Sequence, residues 1–129
     1  MGENDNIPQM TPSFENICRK DENGNEYWSS RDLCGAMGYS AYWKFQRVID
    51  KAIKVAGEKG MNVDEHFNQA VDMVRIGSGS FRKVNIFRLS RMACMIVAEN
   101  ADAQKVLVQQ ARDYFTRTIS TNELMQNSL

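Results

Sequence analysis

Histidine, cysteine and proline are scarce in this chain, which has one, three and two of them among 129 residues. The single histidine, His66, is the only residue around which a Ser-His-Asp or Cys-His catalytic site could be built. A carboxylate two residues before a lysine, a step familiar from metal-dependent nucleases, occurs nowhere in the sequence. The cysteines form no C-x-x-C pair and show no metal-ligand spacing. We therefore expect a protein that is not an enzyme and that holds no metal or cofactor.

Long apolar runs are missing as well. The sequence has no stretch of 18 apolar residues and no signal-peptide core after Met1, so we expect a cytoplasmic protein. Hydrophobic residues make up 43% and charged residues 25% of the chain, which is typical of a folded globular domain. We predict a flexible arm over residues 1–13, one compact domain over residues 14–119, and a tail or truncated linker over residues 120–129.

An excess of charge of one sign is also absent, because 16 basic and 16 acidic residues give a formal net charge of zero. The sum hides a division along the chain. Residues 1–26 carry six acids and two bases, whereas residues 27–60 carry six bases and three acids. Residues 71–91 carry five bases and one acid. Two basic segments in a neutral chain indicate a local contact with phosphate groups or another polyanion.

The pattern over residues 27–56 predicts two helices joined by a tight turn. Ser29 is of a type that caps a helix start, and Gly38 can adopt the left-handed conformation that ends this first helix. Ser40 can cap the second helix. Apolar residues at helical spacing predict a buried face on that second helix: Phe45, Val48, Ile49, Ala52, Ile53 and Ala56.

The opposite side of the second helix is basic. At about 100° per residue, four side chains fall within about a quarter turn of one another: Lys44, Arg47, Lys51 and Lys54. Like charges at this spacing repel unless a polyanion lies against them. A short helix, a tight turn and a longer helix with a polar face match the helix-turn-helix, whose second helix enters the DNA major groove. An ordinary helical hairpin with a solvated lysine face is the alternative.

Two β-hairpins are predicted on either side of the helix pair. In the first, alternating residues over 14–19 precede an Asn23-Gly24 turn, and apolar character resumes at residue 27. In the second, strands over residues 71–76 and 81–89 flank a Gly-Ser-Gly-Ser loop. Four bases near this loop would make it a wing that reaches the DNA backbone or minor groove: Arg75, Arg82, Lys83 and Arg88. A solvated hairpin without a partner fits the pattern equally well.

Two further helices complete the predicted α+β fold. Ser90 can cap the first, and its residues 92–98 are apolar on all sides, so they belong in the core. Asp102 can begin the second. The predicted buried face of this last helix consists of Ala103, Val106, Leu107, Ala111, Tyr114, Phe115 and Thr118, with Val108 off that face.

Five motifs in the same order resemble the Bro-N domain family of phage and bacterial proteins. They are Glu26-Tyr27-Trp28-Ser29-Ser30-Arg31-Asp32-Leu33, Met37-Gly38-Tyr39-Ser40, the Trp43/Phe45 pair, Val74-Arg75-Ile76-Gly77-Ser78-Gly79 and Leu89-Ser90-Arg91-Met92-Ala93-Cys94. The resemblance implies a DNA-binding α+β domain in proteins of phage antirepression or of the bacterial DNA-damage (SOS) response. For the damage-inducible branch it implies interference with recombinase filaments on single-stranded DNA. The contact set that it implies here is the Ser40–Lys54 helix and the Arg75–Lys83 hairpin.

Together these observations predict a non-catalytic DNA-binding domain of a damage-inducible or antirepressor-like regulator. Side chains that read bases are expected at the forward end of the basic helix: Ser40, Tyr42, Gln46 and Arg47. The residues leave open whether the DNA is single- or double-stranded. The competing hypothesis is a protein–protein module that acts on a repressor or a recombinase filament without touching DNA. Zero net charge and the acidic first segment fit that hypothesis.

Overall fold

The computed structural model describes residues 13–127, which form six helices and four strands. In chain order these are α1 (Ser13–Asn16), β1 (Arg19–Lys20), β2 (Glu26–Ser29), α2 (Ser30–Ala36), α3 (Tyr42–Glu58), α4 (Val63–His66), β3 (Phe67–Arg75), β4 (Phe81–Leu89), α5 (Arg91–Glu99) and α6 (Val106–Asn127). The predicted α+β class is confirmed. The predicted arm over residues 1–13 lies outside the described residues, apart from Ser13. Within residues 13–127, no helix is both long enough and apolar enough to cross a bilayer.

The strands form one antiparallel sheet in the order β1-β2-β4-β3. β3 and β4 pair along their whole length, from Phe67 opposite Leu89 to Arg75 opposite Phe81. Opposite residues share a face and successive residues alternate, so this register gives the hairpin two faces. Phe67 and Leu89 are buried, whereas Phe81 on the same face is exposed. The predicted second hairpin is therefore confirmed, although its first strand begins at Phe67, and it projects out of the core.

The first predicted hairpin is only partly correct. β1 and β2 pair around a turn in which Gly24 has a φ of +83°, but β1 has two residues and Phe14 lies in α1. The apolar residues at positions 14, 17 and 18 fit the helical spacing i, i+3, i+4 as well as the alternation of a strand. Tertiary packing decided between helix and strand. Phe14 is buried, stacks on Tyr114, and accepts a 2.7 Å hydrogen bond from Trp28 Nε1 at its carbonyl oxygen.

The helix pair has two of its three predicted boundary signals. Ser29 Oγ accepts a 3.3 Å hydrogen bond from the backbone N–H two residues later, and Gly38 has a φ of +84°, which confirms both predictions. The prediction that Ser40 caps α3 is wrong, because the helix begins at Tyr42 after Ala41, which makes no side-chain capping bond. The start of α3 is fixed by tertiary contact instead, since Tyr42 hydrogen-bonds to α2.

The core lies between the sheet and helices α3, α5 and α6. The predicted buried face of α3 is confirmed, with Phe45, Ile49 and Ala52 fully buried. α5 is central, as predicted: Ser90 Oγ caps it by accepting a 3.0 Å hydrogen bond from Ala93 N, and five of its residues are buried. Each large apolar side chain buried in this way contributes about 1.5–3 kcal/mol relative to leaving it exposed.

Helix α6 differs from the predicted last helix in its start and in the buried residues of its first turn. Asp102 Oδ1 accepts a 3.0 Å hydrogen bond from the backbone N–H two residues later, so residues 102–105 form a turn and the helix begins at Val106. The prediction had extended helical periodicity back through this turn, which wrongly placed Ala103 and Val106 on the buried face and Val108 off it. Ala103 and Val106 are exposed and Val108 is buried. The rest of the predicted face is confirmed in part: Ala111 and Phe115 are buried, and Leu107, Tyr114 and Thr118 are half-buried. α6 continues to Asn127, into the range predicted as a tail.

Arg91 joins three elements at the edge of the core. Its side chain is 14% exposed and donates two 2.8 Å hydrogen bonds to the Glu26 carboxylate of β2 and one of 2.7 Å to Thr118 Oγ1 of α6. Its Cζ lies 4.9 Å from the centroid of the Trp28 ring. The hydrogen bonds to Glu26 are the main reason why the pKa of Arg91 is raised above its ordinary value. A bidentate, charge-assisted pair of this kind fastens α5 and α6 to β2.

Ser30 connects α3 to the β3–β4 hairpin. Its side chain is fully buried, and its Oγ lies 2.7 Å from Tyr42 Oη and accepts a 3.0 Å hydrogen bond from Phe87 N. A serine hydroxyl has one donor and two acceptor positions, so it serves both partners at once. One hydroxyl group therefore holds the first turn of α3 against β4.

Replacing Glu26 with glutamine tests the Arg91 network. We expect Glu26→Gln to lower the free energy of unfolding by about 1–2 kcal/mol, because a hydrogen bond to a charged group is worth roughly 1.5–3 kcal/mol. The matched control is Glu22→Gln, whose carboxylate is exposed and lies 3.9 Å from Arg88. The control should change the unfolding free energy by less than about 0.5 kcal/mol. Urea unfolding followed by circular dichroism measures both, and equal effects would contradict the role given to the Arg91–Glu26 pair.

Replacing Ser30 with alanine tests the link between α3 and the hairpin. Ser30→Ala leaves the Phe87 N–H and the Tyr42 hydroxyl without their partner, so the unfolding free energy should fall by about 1–3 kcal/mol. Tyr42→Phe removes only one of the two bonds and should cost about 1 kcal/mol. Amide hydrogen exchange at Phe87 should speed up in Ser30→Ala but not in Tyr42→Phe. Unchanged exchange at Phe87 in Ser30→Ala would show that this bond does not hold the two elements together.

Candidate nucleic-acid interface

The basic stripe of α3 faces outward, as the sequence predicts. Its four members, Lys44, Arg47, Lys51 and Lys54, are all exposed, on the side opposite the buried Phe45 and its neighbours. Within residues 13–127 none of the four forms an ion pair. Asp50, the carboxylate nearest to the stripe in sequence, accepts a 3.0 Å hydrogen bond from Gln46 Nε2. The stripe therefore presents four positive charges without ion pairs along one side of a helix of 17 residues, with the exposed Asp50 beside it.

Trp43 is a candidate contact residue that the sequence-based prediction missed. Its side chain is 59% exposed, and Lys44 Nζ and Arg47 Cζ lie 5.6 Å and 5.3 Å from its ring centroid. Cations at this distance are attracted by the electron-rich face of the ring. The sequence contained a signal for the exposure of Trp43. At about 100° per residue, Trp43 lies about 200° around the helix from Phe45, whose side is buried. That angle puts Trp43 on the basic side.

The predicted wing has two faces with different surroundings. We call the face that includes the buried Phe67 and Leu89 the front of the hairpin, and the opposite face the back. Beyond its buried base, the front consists of Gln69, Val71, Met73 and Arg75 of β3 and of Phe81, Lys83, Asn85 and Phe87 of β4. It therefore carries two bases and no acid. Arg75 and Lys83 are both exposed, and Arg75 Cζ lies 5.3 Å from the centroid of the Phe81 ring.

The other two predicted wing residues, Arg82 and Arg88, lie on the back. Arg88 is at the base of β4, far from the loop, where its guanidinium lies 4.8 Å from the Tyr27 ring centroid and 3.9 Å from the Glu22 carboxylate. A cavity of about 450 Å³ beside it is lined by the carboxylates of Asp21, Glu22, Glu26, Asp64 and Glu65. The structure therefore separates the four predicted bases into two pairs, of which only Arg75 and Lys83 share a face without carboxylates.

The front of the hairpin meets α3 at Gln46. This side chain lines a cavity of about 290 Å³ together with Gln69, Asn85 and Phe87. Gln46 is therefore the residue of α3 that lies beside the front of the hairpin, and Arg47 follows it about 100° further around the helix. From Gln69 to Arg75 the strand extends for about 20 Å at about 3.3 Å per residue. Helix and hairpin thus form two walls that meet at a corner lined by amide side chains.

Two of the four predicted base-reading residues have other surroundings. The Tyr42 hydroxyl bonds to Ser30, and the Arg31 guanidinium lies 4.2 Å from the centroid of its ring. Burial raises the pKa of Tyr42 above its ordinary value, so its hydroxyl stays protonated at neutral pH. Tyr42 thus supports the start of α3. Ser40 is exposed but lies in the loop before the helix, whereas Gln46 and Arg47 lie on the helix at the corner.

The single histidine has a structural partner. His66 Nδ1 lies 2.6 Å from Ser90 Oγ, the hydroxyl that caps α5. Within the described part of the chain, no group of three or more His, Cys, Asp or Glu side chains is arranged to hold a metal ion. Cys34 and Cys94 are buried among apolar residues, as predicted, and burial raises the pKa of both thiols.

Sequence comparison shows that this chain is similar to a known bacterial protein. Over 111 residues it is 37% identical to DNA damage-inducible protein D of Escherichia coli (strain K12). The matched region covers 86% of this chain and 40% of that protein, so the chain spans less than half of its relative. No protein-family model matches the chain, and no solved structure matches it. The chain is therefore a relative of that protein, and membership of the Bro-N family stays a prediction.

Proposed function

We propose that this chain is a non-catalytic DNA-binding domain that places the basic side of α3 and the front of the β3–β4 hairpin against the phosphate backbone. The observation that carries the proposal is the charge arrangement around the corner at Gln46. Six exposed bases lie on the two walls: Lys44, Arg47, Lys51, Lys54, Arg75 and Lys83. Five acidic residues line a cavity on the back of the hairpin, near its base. A polyanion is the partner that a surface of this kind attracts.

The repulsion between the like charges on α3 also favours a polyanionic partner. Neighbouring cations at i,i+3 and i,i+4 destabilise an isolated helix by about 0.2–0.5 kcal/mol per pair. Phosphate groups lying along the stripe would turn this repulsion into attraction, with release of the counterions that surround DNA. If all six bases contact phosphates of duplex DNA, the logarithm of the binding constant should fall with a slope of about 5 against the logarithm of the salt concentration.

The relative supplies the biological setting of the proposal. Its name describes a protein induced by DNA damage. We extend that setting to this chain as a regulatory role in the bacterial damage response, exercised on DNA in the cytoplasm. A recombinase filament or a repressor is the protein partner that such a regulator would act on. The matched region covers 40% of the relative, so the proposed DNA contact is assigned to that region alone.

A protein–protein module is the second candidate function. The observation that favours it is the exposure of large apolar side chains on the front of the hairpin, including Val71 and Met73. Salt dependence separates the two candidates, because binding through phosphate contacts weakens steeply as ionic strength rises and binding through apolar contacts does not.

The triple variant Lys44→Ala, Arg47→Ala, Lys51→Ala tests the surface on α3. These side chains face solvent, so circular dichroism should report an unchanged fold. Fluorescence anisotropy with labelled duplex and single-stranded oligonucleotides, between about 50 and about 200 mM salt, should report a smaller salt slope, by about one for each phosphate group that the variant no longer binds. A triple variant that binds DNA as well as the parent, with the same slope, would overturn the assignment of α3.

The neighbouring residues Lys83 and Arg82 test the hairpin as a matched pair. Both are exposed near the same end of β4, but they point to the front and the back respectively. Lys83→Ala should weaken DNA binding and lower the salt slope by about one, whereas Arg82→Ala should leave the slope nearly unchanged. Equal effects of the two variants would contradict the assignment of the front as the contact face.

A further inference from the structure

We infer that the front of the β3–β4 hairpin inserts an apolar side chain, Phe81, between neighbouring base pairs from the minor groove and thereby bends double-stranded DNA. The inference rests on the proposed function, since it concerns what the hairpin does once the chain is on DNA. It adds deformation of the duplex to the phosphate contacts that a basic surface makes by itself. Wedges of this kind are Phe, Leu, Ile, Met or Pro side chains that unstack one base step.

Apolar side chains are unusually exposed along the projecting part of the hairpin. Val71, Met73 and Phe81 on the front are 57%, 51% and 55% exposed, and Ile76 at the start of the loop is 42% exposed. Val71, Met73 and Phe81 lie on the front beyond its buried base, whereas on the back Val84 and Ile86 stay buried further along β4. Exposed apolar side chains that lie together mark a contact surface. The three front residues share their face with Arg75 and Lys83, so a partner must satisfy both apolar and positive groups.

Phe81 has a cation on two sides. Arg75 stands directly opposite in the register, with its Cζ 5.3 Å from the Phe81 ring centroid. Lys83 is two residues along the same strand and on the same face, about 7 Å away. Phosphate groups flank an unstacked base step, and the two cations beside Phe81 are placed to contact them. An apolar wedge with two neighbouring cations therefore fits the minor groove of DNA better than it fits an uncharged protein surface.

The open edge of β3 offers a different occupant, a strand from a second copy of the chain. Ile76 N bonds to Ser80 O, so the even-numbered residues of β3 bond to β4 and Met73 N–H points to the open edge. Asp72 Oδ1 accepts that N–H at 2.9 Å, and Asp72 is itself 3.6 Å from Arg19. An edge donor that is already bonded and a charged side chain beside it both disfavour strand addition. The front face is therefore the available surface, and its charge favours a polyanion.

A duplex of about 30 base pairs with a donor dye at one end and an acceptor dye at the other measures bending as increased energy transfer. The intact chain should raise energy transfer when it binds. Phe81→Ser should abolish most of that rise while keeping salt-dependent binding within about tenfold of the parent, and Phe81→Leu, which keeps an apolar wedge, should restore it. The matched control is Val71→Ser, equally exposed but further from the loop, which should bend DNA as the parent does. Phe81 is exposed, so these variants should fold normally.

A duplex with one mismatched pair provides a second measurement. The mismatch lowers the cost of unstacking, so the parent should bind it about tenfold more tightly than the matched duplex, and Phe81→Ser should not. Salt-dependent binding of duplex without a rise in energy transfer would overturn the wedge and leave the proposed function standing. If the chain binds only single-stranded DNA, the wedge is likewise overturned and the proposed function stands. The absence of salt-dependent binding to any DNA would overturn both.

Discussion

The spatial relation between α3 and the hairpin depends on one buried hydroxyl group. Ser30 bonds to Tyr42 at the first turn of α3 and to Phe87 on β4, which lies 57 residues further along the chain. The preceding residue, Ser29, caps α2 and so fixes where Ser30 stands. A buried hydroxyl with two partners tolerates little displacement, because breaking either bond leaves polar groups unsatisfied. The corner at which the helix and the hairpin meet is thereby set by local capping and one long-range bond.

Zero net charge and a strongly basic surface are compatible in this protein because the sheet separates the charges. The hairpin carries Arg75 and Lys83 on its front, while the turn between β1 and β2 and the helix α4 bring carboxylates to its back. A neutral chain has little long-range attraction for nucleic acid, yet a face without carboxylates keeps a strong local potential. Such an arrangement favours contact over a defined area instead of general adhesion to polyanions.

Each of the two walls presents an exposed aromatic ring next to a guanidinium group. Trp43 has Arg47 at 5.3 Å on α3, and Phe81 has Arg75 at the same distance on the hairpin. A cation near the ring face is attracted by the electron-rich ring. The same two walls carry the six exposed bases, and within residues 13–127 none of these forms an ion pair.

Sequence alone determined the parts of this protein whose causes are local. The caps at Ser29 and Ser90, the left-handed Gly38 and the buried and basic sides of α3 follow from residue type and from periodicity within a few turns. The outward orientation of the basic stripe was predictable for the same reason. The exposure of Trp43 could have been predicted from the same periodicity, but the prediction missed it.

Tertiary structure decided what depends on a distant partner. Phe14 joined a helix because its ring packs on Tyr114, and α3 starts at Tyr42 because that residue bonds to Ser30. The start of α6 and the burial of Val108 depended on a turn that periodicity did not reveal. The prediction grouped Arg82 and Arg88 with Arg75 and Lys83 because all four flank the loop in the sequence, although strand alternation already places them on opposite faces. Only the tertiary structure showed which face the acidic turn covers. Alternation fixes the side of a strand on which each residue lies, whereas the neighbour that covers that side comes from elsewhere in the chain.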